Sequence, residues 1–191
     1  MFDVTLWKKL ARGPQIILLK DAAFISAYTG VQSGDTVVDA GAGSGFLSTY
    51  LGSLVAPAGK VFAYERREEF AELSRKNVAR AKLSDVVTVK TQDILLGIDE
   101  KDVDLVTLDL ADAPQAVALA FSALKPKGFC VGYQPHAEQV QSFVKAGQTA
   151  GFLHDQTMEV IARAMLVRER GFRPENSGLL HTGYLTFLRK P

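Results

Sequence analysis

Among 191 residues the sequence has one cysteine, one tryptophan and three histidines. The lone Cys130 excludes an internal disulfide and any cysteine-rich zinc site, and it fits a reducing compartment. His136, His154 and His181 show no ligand spacing, so no metal site can be argued from them. No run of about 18 apolar residues occurs, so no membrane span is expected. Seven prolines and 16 glycines are too few for a fibrous or low-complexity chain. At the start, Asp3 precedes Lys8 and Lys9, the reverse of a signal peptide. What is present is a globular mixture, 47% hydrophobic and 23% charged. The length suits one domain spanning 1–191. These readings point to a soluble, compact, cytoplasmic domain.

The formal charge of +1 is unevenly spread. Residues 1–83 carry 11 Lys and Arg against 8 Asp and Glu, residues 84–124 carry 2 against 8, and residues 125–191 carry 9 against 5. A basic start and a basic tail around an acidic middle can present phosphate-binding surface beside an acidic pocket. Ordinary solvated helix faces give the same count.

Strand-like and helix-like segments alternate, the signature of βαβ units and a parallel sheet. Strands are expected at 35–39, 60–65, 86–90, 103–109 and 129–133, with helices at 45–55, 67–82, 114–124 and 137–150. A helical lead-in occupies 1–30. Two long strand-like pieces, 156–168 and 180–189, close the chain around a loop at 171–178. No helix separates them, so they must pair antiparallel, because a parallel connection needs a crossover of a dozen or more residues. The expected fold is α/β, Rossmann-like: a seven-stranded, mostly parallel sheet with a C-terminal antiparallel hairpin.

The strongest local signal is Asp39-Ala40-Gly41-Ala42-Gly43-Ser44-Gly45 at the first strand–helix turn. Glycines there let a ligand approach the backbone at the carboxyl edge of the sheet. Phe46 stands where a dinucleotide fingerprint has its third glycine. A carboxylate at Asp39 serves a pyrophosphate poorly and a sulfonium or ammonium cation well. Glu65, ending the second strand, can accept both hydroxyls of a ribose, or cap the helix that follows. Asp93, past the third strand, either receives an exocyclic adenine amine or is a turn aspartate. Asp109 closes an apolar strand at the same sheet edge, where an unpaired buried charge is costly, so it is read as facing substrate and not as plain surface charge.

The glycine loop and the acids ending four strands resemble a class I S-adenosylmethionine-dependent methyltransferase. A narrower resemblance, running from about residue 12 onward, is to tRNA adenine-N1 methyltransferases of the T-loop type. It rests on Gly13-Pro14-Gln15-Ile16-Ile17 with Lys20-Asp21-Ala22, on Tyr64-Glu65-Arg66 and on Leu108-Asp109-Leu110. Gly132-Tyr133-Gln134-Pro135 with Gln139-Val140, Arg173-Pro174-Glu175 and His181-Thr182-Gly183-Tyr184-Leu185 complete it. The family carries a small β domain before this region, and only about a dozen residues precede it here, so that domain is expected to be absent. Where the family often has Pro-Asp-Pro-Trp, this chain has Ala111-Asp112-Ala113-Pro114, so a bulky wall near the target base is missing.

The resemblance implies S-adenosyl-L-methionine as cofactor, held by Gln15, Asp39, Gly41, Gly43, Ser44 and Gly45 of the loop region. Glu65, Asp93 and Asp109 complete that set. Asp109 and Tyr133 become the catalytic pair, Asp109 on the exocyclic amine of a flipped adenine and Tyr133 orienting the base. Tyr133 and His181 lie on the substrate side. tRNA is the implied partner. A small-molecule methyltransferase, such as a precorrin enzyme, and a non-catalytic RNA-binding subunit are the alternatives. The closing strand pair, with Ile161, Met165, Leu166 and Phe187, offers an apolar edge to a second copy. The resembled family is also oligomeric, so a homodimer or homotetramer is expected.

Overall fold

A computed structural model describes residues 3–13, 15–176, 178 and 181–191. Two helices, α1 (Val4–Lys9) and α2 (Leu19–Thr29), precede the sheet. Then come β1 (Thr36–Ala40), α3 (Phe46–Val55), β2 (Lys60–Glu65), α4 (Glu68–Arg80) and β3 (Val87–Thr91). A single 3-10 turn, Ile94–Leu96, leads to β4 (Val103–Leu108), α5 (Ala113–Ala123), β5 (Leu124–Gln134) and α6 (Ala137–Ala150). The chain continues through β6 (Leu153–Glu159), β7 (Met165–Arg168), β8 (Gly171–Pro174) and β9 (Tyr184–Arg189).

Seven strands form one sheet in the order β3-β2-β1-β4-β5-β9-β6. β1 to β5 run parallel, and β9 enters antiparallel between β5 and β6. Strand residues alternate between faces, and the two cores show it. Val37, Leu105, Val131 and Phe187 belong to the cluster with Trp7, Ile25, Leu51 and Val78 of α1 to α4. Val38, Val106, Cys130 and Leu188 belong to the cluster with Val117 and Phe143 of α5 and α6. The strand order, not the strand direction, reverses between β1 and β4, and open α/β sheets bind ligands at the carboxyl ends flanking such a switch.

The helix limits have local causes. α2 and α6 end on Gly30 (φ 70°) and Gly151 (φ 100°), whose left-handed backbone closes the last turn. Acidic Glu68 and Glu69 begin α4 and Arg80 ends it, in line with the helix dipole.

The closing segment departs from the expectation. The sequence reads as one strand over 156–168, but β6 stops at Glu159 and β7 starts only at Met165. β7 pairs with β8 in a separate two-stranded sheet, using residues 171–174 that read as loop. The apolar edge is therefore divided. Phe187 is fully buried in the core, whereas Ile161 and Met165 are exposed outside the main sheet. Leu180, the expected strand start, and Pro14 of the first motif lie outside the described residues.

Candidate functional site

The loop after β1 is shaped by close approach to the loop after β4. The Asp109 amide donates to the Ala40 carbonyl at 2.9 Å. A Cβ on Gly41 would stand 1.9 Å from the Asp109 carbonyl oxygen, and Gly41 has φ +77°. Only glycine fits there. Gly43 turns its amide toward Glu65, donating to Oε2 at 2.9 Å. Gly45 has a different reason to be glycine: a Cβ would meet the Ser74 hydroxyl of α4 at 2.2 Å, so it serves helix packing.

A cleft of about 380 Å³ opens at this sheet edge, within the size range of small-molecule sites. Gln15, Gly41, Gly43, Ser44, Glu65, Asp93, Asp109 and Tyr133 all line it. Asp39 and Gly45 do not. Asp39 lines a small adjoining recess, where the Ser48 hydroxyl donates to Oδ2 and the Thr107 hydroxyl donates to Oδ1 at 2.7 Å. Its carboxyl is pushed up, chiefly by burial, with the charge of Glu65 adding to the rise. It therefore lies beneath the loop and outside the main cleft.

Three carboxylates thus converge. Burial, then Asp39, then Glu65 push the Asp109 carboxyl up to about 7. Glu65 is nearly buried and accepts from the amides of Gly43 and Arg67. Each oxygen retains lone pairs for a diol. Asp93 caps the 3-10 turn through the Leu95 amide at 3.0 Å and lies 3.8 Å from Arg66. The Ser44 hydroxyl is buried in the cleft wall with no partner among the described residues. An orphaned hydroxyl and a surplus of negative charge suit a polar, cationic ligand and oppose a pyrophosphate.

On the opposite flank Tyr133, at the end of β5, donates its hydroxyl to the Thr182 carbonyl at 2.7 Å. Burial first, with the charges of Asp21 and Asp109 adding, raises its phenol to about 12, so it stays neutral. His181 is exposed and stands outside the cleft lining, joined to its rim by contact with the Pro135 carbonyl at 3.0 Å. Its other nitrogen faces Glu159 Oε1 at 2.6 Å. The Pro135 carbonyl and then the Glu159 carboxylate raise its pKa, since only the imidazolium donates to both. Among the described residues no group of three or more His, Cys, Asp or Glu is placed to hold a metal ion.

Sequence reasoning missed several lining residues. Arg66 reaches toward both Asp93 (3.8 Å) and Asp112 (3.9 Å) across the cleft mouth, and Arg67 lies 4.0 Å over the Phe70 ring. Gln92, Gln134 and Gln139 also contribute. Polar residues just past strand ends are the available signal, but the sequence does not say which of them turn inward.

A parallel sheet closed by an inserted antiparallel strand, with acids ending consecutive strands around a glycine loop, is the S-adenosylmethionine-dependent methyltransferase fold. The profile of the tRNA methyltransferase complex GCD14 subunit family matches residues 4–179, and the chain belongs to that family. The tRNA (adenine(57)-N(1)/adenine(58)-N(1))-methyltransferase TrmI of Methanocaldococcus jannaschii is 37% identical over all of this chain and 76% of its own length. The crystal structure of an S-adenosylmethionine-dependent O-methyltransferase from Thermotoga maritima, 36% identical, superposes with a TM-score of 0.91 over 97% of this chain and 71% of that one. The tRNA (m1A58) methyltransferase TrmI from Aquifex aeolicus superposes at 0.89 over 97% of this chain and 74% of that one. At 24% identity this last likeness shows the fold alone.

Proposed function

We propose that this protein transfers the methyl group of S-adenosylmethionine to N1 of adenine in tRNA. The observation that carries the reading is the convergence of Asp39, Glu65 and Asp109 beneath a glycine loop, where burial first, and then the charges of Asp39 and Glu65, push Asp109 up to about 7. A site with such mutual repulsion favours a cationic cofactor. The 37% identity to a tRNA adenine-N1 methyltransferase supports the choice of acceptor.

The cofactor supplies an activated methyl group on a sulfonium cation. Glu65 would accept the ribose hydroxyls, Asp93 would receive the adenine amine, and Gln15 and the Ser44 hydroxyl would add polar contacts. Asp39, when ionised, would offset the sulfonium charge from beneath the loop. The target base must leave its stack to reach the cleft. Asp109 then accepts a hydrogen bond from the exocyclic amine, and its charge offsets the cation that develops on the ring. Tyr133 bounds the base on the other side, and His181 holds the Pro135 rim.

Labelled cofactor incubated with bulk tRNA, followed by nucleoside mass spectrometry, tests this directly. Labelled 1-methyladenosine is the expected product. Label in another nucleoside, or tight NAD binding in calorimetry without response to S-adenosylmethionine, would overturn the reading.

We also propose self-association as a homodimer or homotetramer. Val167 and Phe172 of the β7–β8 hairpin are 77% and 67% exposed, and β6 leaves a sheet edge unpaired among the described residues. Light scattering showing only a 20.7 kDa species at tens of micromolar would refute this. The single, buried Cys130 and the tRNA-directed reading fit a cytoplasmic enzyme. Among the described residues no helix is long and apolar enough to cross a membrane.

A further inference from the structure

Two segments that stand out in the sequence, Lys20-Asp21-Ala22 and His181-Thr182-Gly183, meet in space although about 160 positions separate them. Lys20 Nζ donates to Asp21 Oδ1 at 2.7 Å, to the Thr182 hydroxyl at 2.7 Å and to the Val160 carbonyl at 2.5 Å. Each of the three ammonium protons therefore has its own acceptor. The Thr182 hydroxyl donates to Asp21 Oδ2 at 3.0 Å, closing a ring of hydrogen bonds. Asp21 is completely buried and the Lys20 side chain is 14% exposed.

Buried ion pairs contribute little net stability beyond what apolar packing would give, so a specific arrangement is the better reason to look for. Here the arrangement is that of Tyr133. Its hydroxyl donates to the Thr182 carbonyl at 2.7 Å. A Cβ on Gly183 would stand 2.7 Å from Tyr133 Cζ, so the phenol end rests directly on that backbone. Tyr133 in turn lines the same cleft as Asp109.

We propose that Lys20, Asp21 and Thr182 are positioning residues that set Tyr133 against the acceptor side of the cleft. This inference rests on the methyl-transfer reading above. Glu65, Gly43 and Asp93 sit around the ends of β1, β2 and β3, away from this ring of bonds, so acceptor placement and cofactor binding should separate.

The test compares Thr182→Val, Thr182→Ser and Lys20→Met with the intact chain. Thr182→Val keeps the backbone carbonyl and the side-chain shape and removes only the hydroxyl. Thr182→Val and Lys20→Met are expected to lower kcat for tRNA roughly 10- to 100-fold, the scale of an ångström of misplacement at a reacting centre. S-adenosylmethionine binding should stay within about twofold, as expected when the lost interaction acts on the acceptor side. Thr182→Ser should restore transfer.

Tyrosine labelled with carbon-13 at Cζ gives a readout free of turnover. The Tyr133 signal, assigned by its loss in Tyr133→Phe, should move in Thr182→Val and Lys20→Met and return in Thr182→Ser. If Lys20→Met does not fold, the two Thr182 variants decide alone. An unmoved signal with unchanged kcat in Thr182→Val overturns the proposal, as does equal loss of cofactor affinity. Absence of tRNA methylation by the unaltered protein counts against the proposed function, while the Tyr133 signal still judges whether Lys20, Asp21 and Thr182 position that side chain.

Discussion

At the scale of single residues, Asp109 carries two opposed requirements. Its carboxyl is pushed from 3.8 up to about 7 by burial and by the charges of Asp39 and Glu65. A raised value in the folded state means a stabilising contribution that is full below the unfolded pKa and is lost as pH rises through about 7. At pH 8 the ionised Asp109 therefore strains the fold. Asp109→Asn is expected to stabilise the protein there by about 1–3 kcal/mol, or several degrees in Tm, with the gain vanishing near pH 4. Thermal unfolding at the two pH values measures it. Activity should move the other way, since Asp109→Asn lacks the charge and is expected to lose roughly 10²-fold or more in single-turnover transfer. In the unaltered enzyme kcat/KM for tRNA should rise with pH through about 7, and a flat profile from pH 6 to 8 would remove Asp109 from that role. Glu65→Gln, by contrast, should weaken S-adenosylmethionine binding about tenfold or more, because charge-assisted hydrogen bonds contribute roughly 1.5–3 kcal/mol each. Calorimetric titration checks that loss.

At the scale of elements, the five parallel strands and their helices were legible because turn residues punctuate them. Gly34 and Gly59 mark strand entries and Gly151 closes α6, whereas Gly128 lies inside β5, which starts at Leu124 and carries the expected turn 125–128 as an irregularity in its pairing with β4. Asp39, Glu65 and Asp109 were legible at the sheet edge for a related reason: each ends an apolar run, whereas Asp93 follows the polar Lys90-Thr91-Gln92. The segment past Glu159 was not. Val160-Ile161-Ala162-Arg163-Ala164 has no glycine or proline to announce a break, so β6 and β7 read as one strand. Gly171 and Pro174 then made β8 read as loop, although proline is tolerated at the end of an edge strand. Nor could spacing show that Lys20 and Thr182 touch. The loop after β1 offers a direct check of the element-scale argument. Gly41→Ala would place a methyl group against the Asp109 carbonyl at a positive φ, and it should destabilise the protein by about 2 kcal/mol or more. The urea midpoint should fall accordingly, and an unchanged midpoint would mean the two loops part easily.

At the scale of the whole molecule, the uneven charge acquires an address. Of the acidic stretch 84–124, Asp93, Asp109 and Asp112 line the cleft, while Asp99 and Glu100 are drawn to Lys90. The late basic residues Arg163, Arg168 and Arg173 lie on or beside the β7–β8 hairpin, which springs from the same carboxyl edge, where Glu159 ends β6. The acids of the cleft and these bases thus gather toward one edge of the sheet.

The insertion of β9 between β5 and β6 also makes β6 depend on β9 for its place in the sheet. β6 is complete at Glu159 but has β9 as its sheet neighbour, and β9 begins only at Tyr184. Until then β6 has nothing in the sheet to pair with, and Leu185, Phe187 and Leu188, fully buried in the finished molecule, are missing from both cores. The parallel strands β1 to β5 face no such delay. Pulse-labelled hydrogen exchange during refolding should show β1, β2 and β4 amides protected first, with β6 and β9 gaining protection together in a later, single step. Protection of β6 ahead of β9 would mean that it finds a transient partner elsewhere.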